Sequence, residues 1–261
     1  MKAAKIYAII EKEIADARKN KMIVISMAVL PILLVALVLG SAFFMLKSGT
    51  GLDQGDLSII PSQLRNMDPV QAFLILMNDQ YMFYFLLIPM MMPVYIAAYS
   101  IIGEKETKSL EPLLAAPIST WELLVGKSLA AALPAIILTW LSFIVLIIGS
   151  YFVMPGPVFL AMIRPVWLAA MALLSPLLAL LSVFSGVIVS SRMNDPRAAQ
   201  QVMGIFVVPI VALSLVVLAG KIFLSVPMVI LAAIATLALD GVVLYFAVRL
   251  FQRETILTRW K

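Results

Sequence analysis

The 261-residue sequence contains no cysteine and no histidine. Their absence excludes disulfides, thiol nucleophiles, Ser-His relays and the usual zinc and copper(II) ligand sets. Charge is scarce as well. Asp, Glu, Lys and Arg make up 13% of the chain, against about 25% in soluble domains. Apolar residues stand in their place, at 63% with a mean hydropathy of +1.08. No soluble core of this length could hide so much apolar surface, so most of the chain has lipid as its solvent. A net charge of +5 could suggest nucleic acid, but the basic residues do not gather on one soluble face. The composition is that of an integral membrane protein.

Six apolar stretches are long enough to cross a bilayer, which takes about 20 helical residues. They cover approximately 22–46, 81–102, 128–153, 166–190, 202–220 and 226–248. Prolines inside them (Pro31, Pro89, Pro93, Pro134, Pro176, Pro209) do not veto the spans, because neighbouring helices and waters re-satisfy the freed carbonyls. Of the 19 Lys and Arg residues, fifteen fall in 1–21, 103–127, 191–201 and 249–261, and four in 47–80, 154–165 and 221–225. That bias places both termini in the cytoplasm, which six spans allow. The polar stretch before the first span is too long for a signal peptide and lacks a small-residue cleavage site. The expected fold is therefore all-α and integral to the membrane: one transmembrane domain over 1–261 with six transmembrane helices. No repeat or soluble domain interrupts it.

Residues 3–19, AAKIYAIIEKEIADARK, set Ile6, Ile10, Ile14 and Ala17 at helical spacing with charges opposite. This predicts an amphipathic helix within 1–21, lying in the membrane interface. In the long outer loop, Asp68-Pro69 opens a second apolar segment, VQAFLILM, with Asp68 as cap and Pro69 at the first helical position. Too short to span, it is expected along the outer surface. Asp195-Pro196 signals another helix start in the same way.

The most polar stretch, GEKETKSLEPLLAAPISTWELLVGKS, lies between the second and third spans. Its Gly126-Lys127-Ser128 looks like the tail of a phosphate-binding loop, but the first glycine of that motif would have to stand where Trp121 is. The local signals instead spell two helix starts. Ser109 can cap a short helix showing Leu110, Leu113 and Leu114 on one side, with Pro112 in its first turn and Pro117 ending it. Ser119 and Glu122 then form a capping box launching the third span. The leucine face can dip into the headgroups or fill a groove on a partner protein.

GEKETKSLEPLLAAPISTWELLVGKSLA, with its acidic pair, Leu-Glu, Leu-Leu, Ala-x-Pro and Leu-Gly-Lys pattern, resembles the cytoplasmic signature of type-2 ABC exporter permeases. EKEIADARKNKMIVISMAVLPILLVALVLG is similar to that family's opening, an interfacial helix leading into the first span. The resemblance implies a half-transporter of the cytoplasmic membrane, in which two six-span subunits, as a homo- or heterodimer, sit on two separate ATPase subunits. ATP and Mg would bind those partners, with no cofactor in this chain and no catalysis by it. It implies a coupling segment over 103–122, with the short coupling helix at about Leu110–Ala116 seated in an ATPase groove. Glu104, Glu106 and Glu111 match the family's acidic positions, where they would dock the ATPase or brace the interfacial helix through Lys12, Arg18 and Lys19. The sequence departs from the pattern at Lys108-Ser109, where the family commonly carries a glycine.

Asp240 lies inside the sixth span. A carboxyl there should face protein or water, either as a pathway or ion-coupling group or as a helix-packing residue. The rival reading to an ATP-driven exporter is an ATP-independent secondary carrier using Asp240. A membrane-embedded enzyme has almost no catalytic inventory here. Met90-Met91-Met92 suggests a copper(I) site only at first sight, since successive helix residues point to different faces. The few polar side chains in the spans favour a hydrophobic cargo, and nucleic acid is not among the expected partners.

Overall fold

The computed structural model describes residues 2–48, 60, 64, 66–106, 119–193, 195–218 and 224–250. Among these there is no β-strand, and six helical runs are long and apolar enough to cross a membrane. The fold is all-helical and multi-pass.

Helix α1, Lys2–Lys19, and α2, Lys21–Ser48, meet at Asn20. The Asn20 carboxamide oxygen accepts from the amides of Met22 (3.0 Å) and Ile23 (3.4 Å) and so caps α2. Helix α1 is amphipathic as expected, but its most buried residues, Ile9 and Glu13, face protein: α1 lies along the start of the third span.

Asp68 accepts from the amides of Val70 (3.0 Å) and Gln71 (3.1 Å), with Pro69 at the first position of α3, Pro69–Phe85. The segment expected to lie apart on the surface instead continues through Leu86, itself in helical conformation, into α4, Leu87–Glu106. Its polar residues explain the difference. Asn78 and Gln80 are buried among other helices, which a helix flat on the surface would not provide.

Helix α5, Thr120–Val153, starts at the expected capping box: the Ser119 amide donates to Glu122 Oε2 (2.9 Å) and the Glu122 amide to Ser119 Oγ (3.2 Å). Along it, the hydroxyls of Thr139, Ser142 and Ser150 donate to carbonyls four residues back, which lets polar side chains sit in an apolar environment.

After the short α6, Gly156–Met162, the fourth run is built from α7, Pro165–Ala169, and α8, Ser175–Arg192, joined by a π-helical turn over Ala170–Leu174. Pro176 has no amide hydrogen and its ring crowds the preceding turn, so the wider turn relieves the clash. The Met171 carbonyl accepts from Trp140 Nε1 (3.0 Å) and from the Ser175 hydroxyl (2.5 Å). Asp195 caps α9, Pro196–Met203, by accepting from the Arg197 amide (2.9 Å). A 3-10 turn, Gly204–Phe206, leads into α10, Val207–Leu218, and α11, Val226–Leu250, completes the bundle.

The second and fourth runs form its centre, with 72% and 61% of their most apolar windows buried, against 11% for the fifth. The fifth is tied to the second by Gln80 Nε2, which donates to Ser214 Oγ (2.9 Å). The main core holds Phe85, Ile88, Leu146, Met162 and Trp167. A second cluster, around Ile9, Ile101, Leu123 and Leu124, lies where α1 meets the end of α4 and the start of α5.

Candidate functional site

That second cluster encloses a knot of charge. Lys127, on the second turn of α5, has its side chain 5% exposed; its ammonium donates to Glu13 Oε1 (2.9 Å) and Ser100 Oγ (2.7 Å) and stands 2.8 Å from Glu104 Oε2 as an ion pair. Lys12 closes the ring from the solvent side, reaching Glu104 Oε1 (2.8 Å) and Glu13 Oε1 (3.3 Å). Two carboxylates and two ammonium groups balance, so the knot carries no net charge. Burial pushes the Glu13 carboxyl up, but the adjacent Lys127 charge, hydrogen bonds from Lys127 and Ser100, and the Lys12 charge outweigh it and hold Glu13 below its ordinary value. Burial pulls the Lys12 ammonium down, and its hydrogen bond to Glu104 with the charges of Glu13 and Glu104 more than reverses that.

The residues converge because three helices approach closely. A Cβ added at Gly126 would stand 2.8 Å from Ile9 Cγ2 and 2.9 Å from Ile9 Cβ, so glycine is what lets α1 lie against α5. Gly126-Lys127-Ser128 thus serves packing. Gly126 admits α1, Lys127 ties it down, and Ser128 is buried. The result is a brace joining α1 to the end of the second run and the start of the third, the two elements that flank residues 107–118.

Among the residues singled out from sequence, Glu104 lies at the heart of the brace and is buried. Its partner is Lys12. Lys19 approaches Asp16 instead, at 3.9 Å. Glu106 ends α4. Its side chain, and Leu110, Glu111, Leu113, Leu114 and Pro117, lie outside the described residues. Glu13, Lys127 and Ser100 were not singled out, although two left a signal. Glu13 interrupts the apolar stripe of α1 between Ile9 and Ala17, and Lys127 interrupts that of α5 between Leu124 and Ala131. A charge in an apolar helical stripe has to find a partner.

Asp240 lies on the inward stripe of α11 with Val229, Ala233 and Ala247, 4% exposed. Neither of its carboxylate oxygens has a hydrogen-bond partner among the described residues. Met92 points into the core, while Met90 and Met91 line a small cleft with Tyr95, facing Gln200, Met203 and Gly204.

A family model described as ABC-2 family transporter protein matches residues 7–251. That range covers most of α1, the whole brace and all six runs. No curated protein matches the chain.

Proposed function

The chain belongs to the ABC-2 family of transporter proteins, and we propose that it is the permease subunit of an ATP-driven exporter in the cytoplasmic membrane, pairing with a second permease and two ATPase subunits. In this reading the brace end of the bundle faces the cytoplasm, in line with fifteen of 19 basic residues falling in the segments on that side. Its ATPase contact is the 107–118 segment, with Leu110, Leu113 and Leu114 as the docking face and Glu106 and Glu111 beside it.

The observation that carries the reading is the brace. A push on residues 107–118 reaches Glu104 on one flank and Lys127 on the other, and both grip Glu13 of α1 or its neighbour Lys12. Load at one short segment is thereby shared by α1, α4 and α5, as a power stroke from a separate subunit requires. To drive transport, those contacts must differ between two states of the assembly. The polar side chains of the spans are mostly turned to carbonyls of their own helices, which supports an apolar cargo.

The test is co-expression with the ATPase encoded nearest to it, comparing wild type with Leu113→Asp and Leu114→Asp. The wild type should co-purify with the ATPase, and the variants should insert normally but lose it. Equal retention by the variants refutes the docking face. A second reading, a secondary carrier, is favoured by the buried Asp240, which has no hydrogen-bond partner among the described residues. Transport by the chain alone in ATP-free vesicles, lost in Asp240→Asn, would establish it instead.

A further inference from the structure

The end of the bundle opposite the brace has its own junction. Three successive polar residues of α3 fan out to three neighbours, as a turn of about 100° per residue dictates. Asn78 reaches Met154 Sδ (3.6 Å), Gln80 reaches Tyr84 and Ser214, and Asp79 Oδ1 accepts from Arg164 Nη2 and from Trp167 Nε1 (2.9 Å). Only the Asp79 contact is an ion pair. Trp167 is 1% exposed, and its ring meets Phe83 edge-on at 5.4 Å.

The same two runs are joined further along. The Ser182 hydroxyl donates to the Met90 carbonyl. A Cβ on Gly186 would stand 3.5 Å from Ala97 Cβ and 3.9 Å from Val94 Cα, so α8 lies against α4 at ordinary contact distance. Near the brace end, Ala98 and Ile102 pack with Val189 and Met193. In lipid, helices are held together by small-residue packing and interhelical hydrogen bonds rather than by a hydrophobic drive, and this pair has both over its length. The weak place is the π-helical turn at 170–174, where span four changes its hydrogen-bond register and can bend. Of the contacts described between the two runs, Ser182 and Gly186 hold the α8 side of that turn, and the α7 side is held by the Phe83–Trp167 ring contact and by Asp79, its one ion pair.

We infer that spans two and four move as one rigid body, that Asp79 is the residue positioning α7 on span two, and that the brace drives this body through Glu104. The drive rests on the permease reading above; the rigidity does not.

The sequence has no native cysteine, so introduced thiols are the only ones of this chain, and the complex with the wild-type chain, treated with the same reagents, controls for thiols of the ATPase. In Asp79→Cys/Arg164→Cys the clamp is open with free thiols and closed when a short bifunctional thiol reagent bridges them. In Ala97→Cys/Gly186→Cys the Cβ separation suits a disulfide, for which about 3.5–4.5 Å is normal. With the full chain in complex with its ATPase, the open clamp should lower ATP hydrolysis at least about fivefold, the scale of a modest coupling energy, and bridging should restore it. The 97–186 disulfide should change hydrolysis by less than about twofold, well below that scale. An open clamp with wild-type hydrolysis, or a bridge that restores nothing, overturns the role of Asp79. A disulfide that abolishes hydrolysis reversibly with reductant shows that the spans must slide, and overturns the rigid body. Asp79→Asn, which keeps an acceptor for Trp167 and loses only the charge, should reproduce the open clamp if the double variant does not fold. In the chain alone, bridging should restore a melting temperature that the open clamp lowers; no such recovery also counts against the rigid body. Failure of any ATPase to co-purify would instead sink the permease reading and leave this last measurement standing.

Discussion

Replacing Lys127 with methionine keeps most of the side-chain volume and removes one charge from the brace. Glu13 and Glu104 are then left buried, sharing only Lys12, which is 48% exposed and already contacts both. Breaking a buried ion pair by deleting one partner costs about 3–5 kcal/mol. Because Lys12 remains, the lower end applies, and about 3 kcal/mol corresponds to a fall in melting temperature of roughly 6–12 °C for a chain of this size. The assay is a thermal melt of the purified chain in lipid nanodiscs, repeated from low to high salt. A buried knot is poorly screened, so the fall should persist across that range. Lys127→Met combined with Glu13→Gln should cost less than the two single changes added, by about 1–3 kcal/mol, because the second removes a charge that the first strands.

The same knot sets a pH window. Glu13 has its carboxyl held below the ordinary 4.5, so its contribution is present above that value and is lost as pH falls through the lowered one. Lys12 is raised above its ordinary 10.5, so its contribution is present below that value and is lost only as pH climbs through the raised one. Between those limits the contribution of these two groups to the wild type should be flat, while the gap to Lys127→Met should widen as pH rises above 4.5, because in the variant burial acts on Glu13 without its main counterweight. A difference that vanishes in salt, is strictly additive with Glu13→Gln, or narrows as pH rises above 4.5 would refute the buried, ion-paired brace.

Two further changes probe what seats the brace and what part Asp240 plays. Gly126→Ala pushes a methyl to within 2.8 Å of Ile9 and should destabilise the chain by about 1–3 kcal/mol; the same change should cost clearly less in an Ile9→Gly background, where the opposing Cβ and Cγ2 are gone, and an unchanged cost would show that α1 is not seated there. Asp240→Leu replaces a buried carboxyl with no hydrogen-bond partner among the described residues by an apolar side chain, so in the permease reading the melting temperature should rise with ATP hydrolysis intact, whereas a loss of hydrolysis gives Asp240 a functional part.

The strongest signals in the sequence were those set by lipid and by local backbone chemistry. Long apolar runs leave helix as the only way to satisfy backbone groups, and so the six spans could be read directly. Asp68, Ser119 and Asp195 each cap the helix expected of them, because a cap depends on residues within one turn. Sequence spacing was weaker wherever distant elements decide. Span two begins at Pro69 because Asn78, Asp79 and Gln80 find partners at the end of α5, on α7 and on α10, and no local pattern announces those. The π-helical turn belongs to the same class, since it combines Pro176 with a carbonyl taken up by Trp140 from another helix.

The brace falls between these cases, and that explains why only part of it was found. Glu104 stands out because it matches an acidic position of the family that the polar stretch resembles, and the resemblance offers bracing of α1 through Lys12, Arg18 or Lys19 as an alternative to docking the ATPase. Lys127 stood in the same stretch but resembled a familiar motif, and that resemblance drew attention from its place among Leu123, Leu124 and Ala131. Glu13 looked like one more charge on an amphipathic helix until its register put it beside Ile9 rather than opposite. In a chain whose natural solvent is lipid, a charge within an apolar stripe is costly unless a partner arrives from another helix. Glu13 and Lys127 are each other's answer across 114 residues. Asp240 satisfies the same description without an answer among the described residues, which makes it the residue whose replacement best separates a packing role from a functional one.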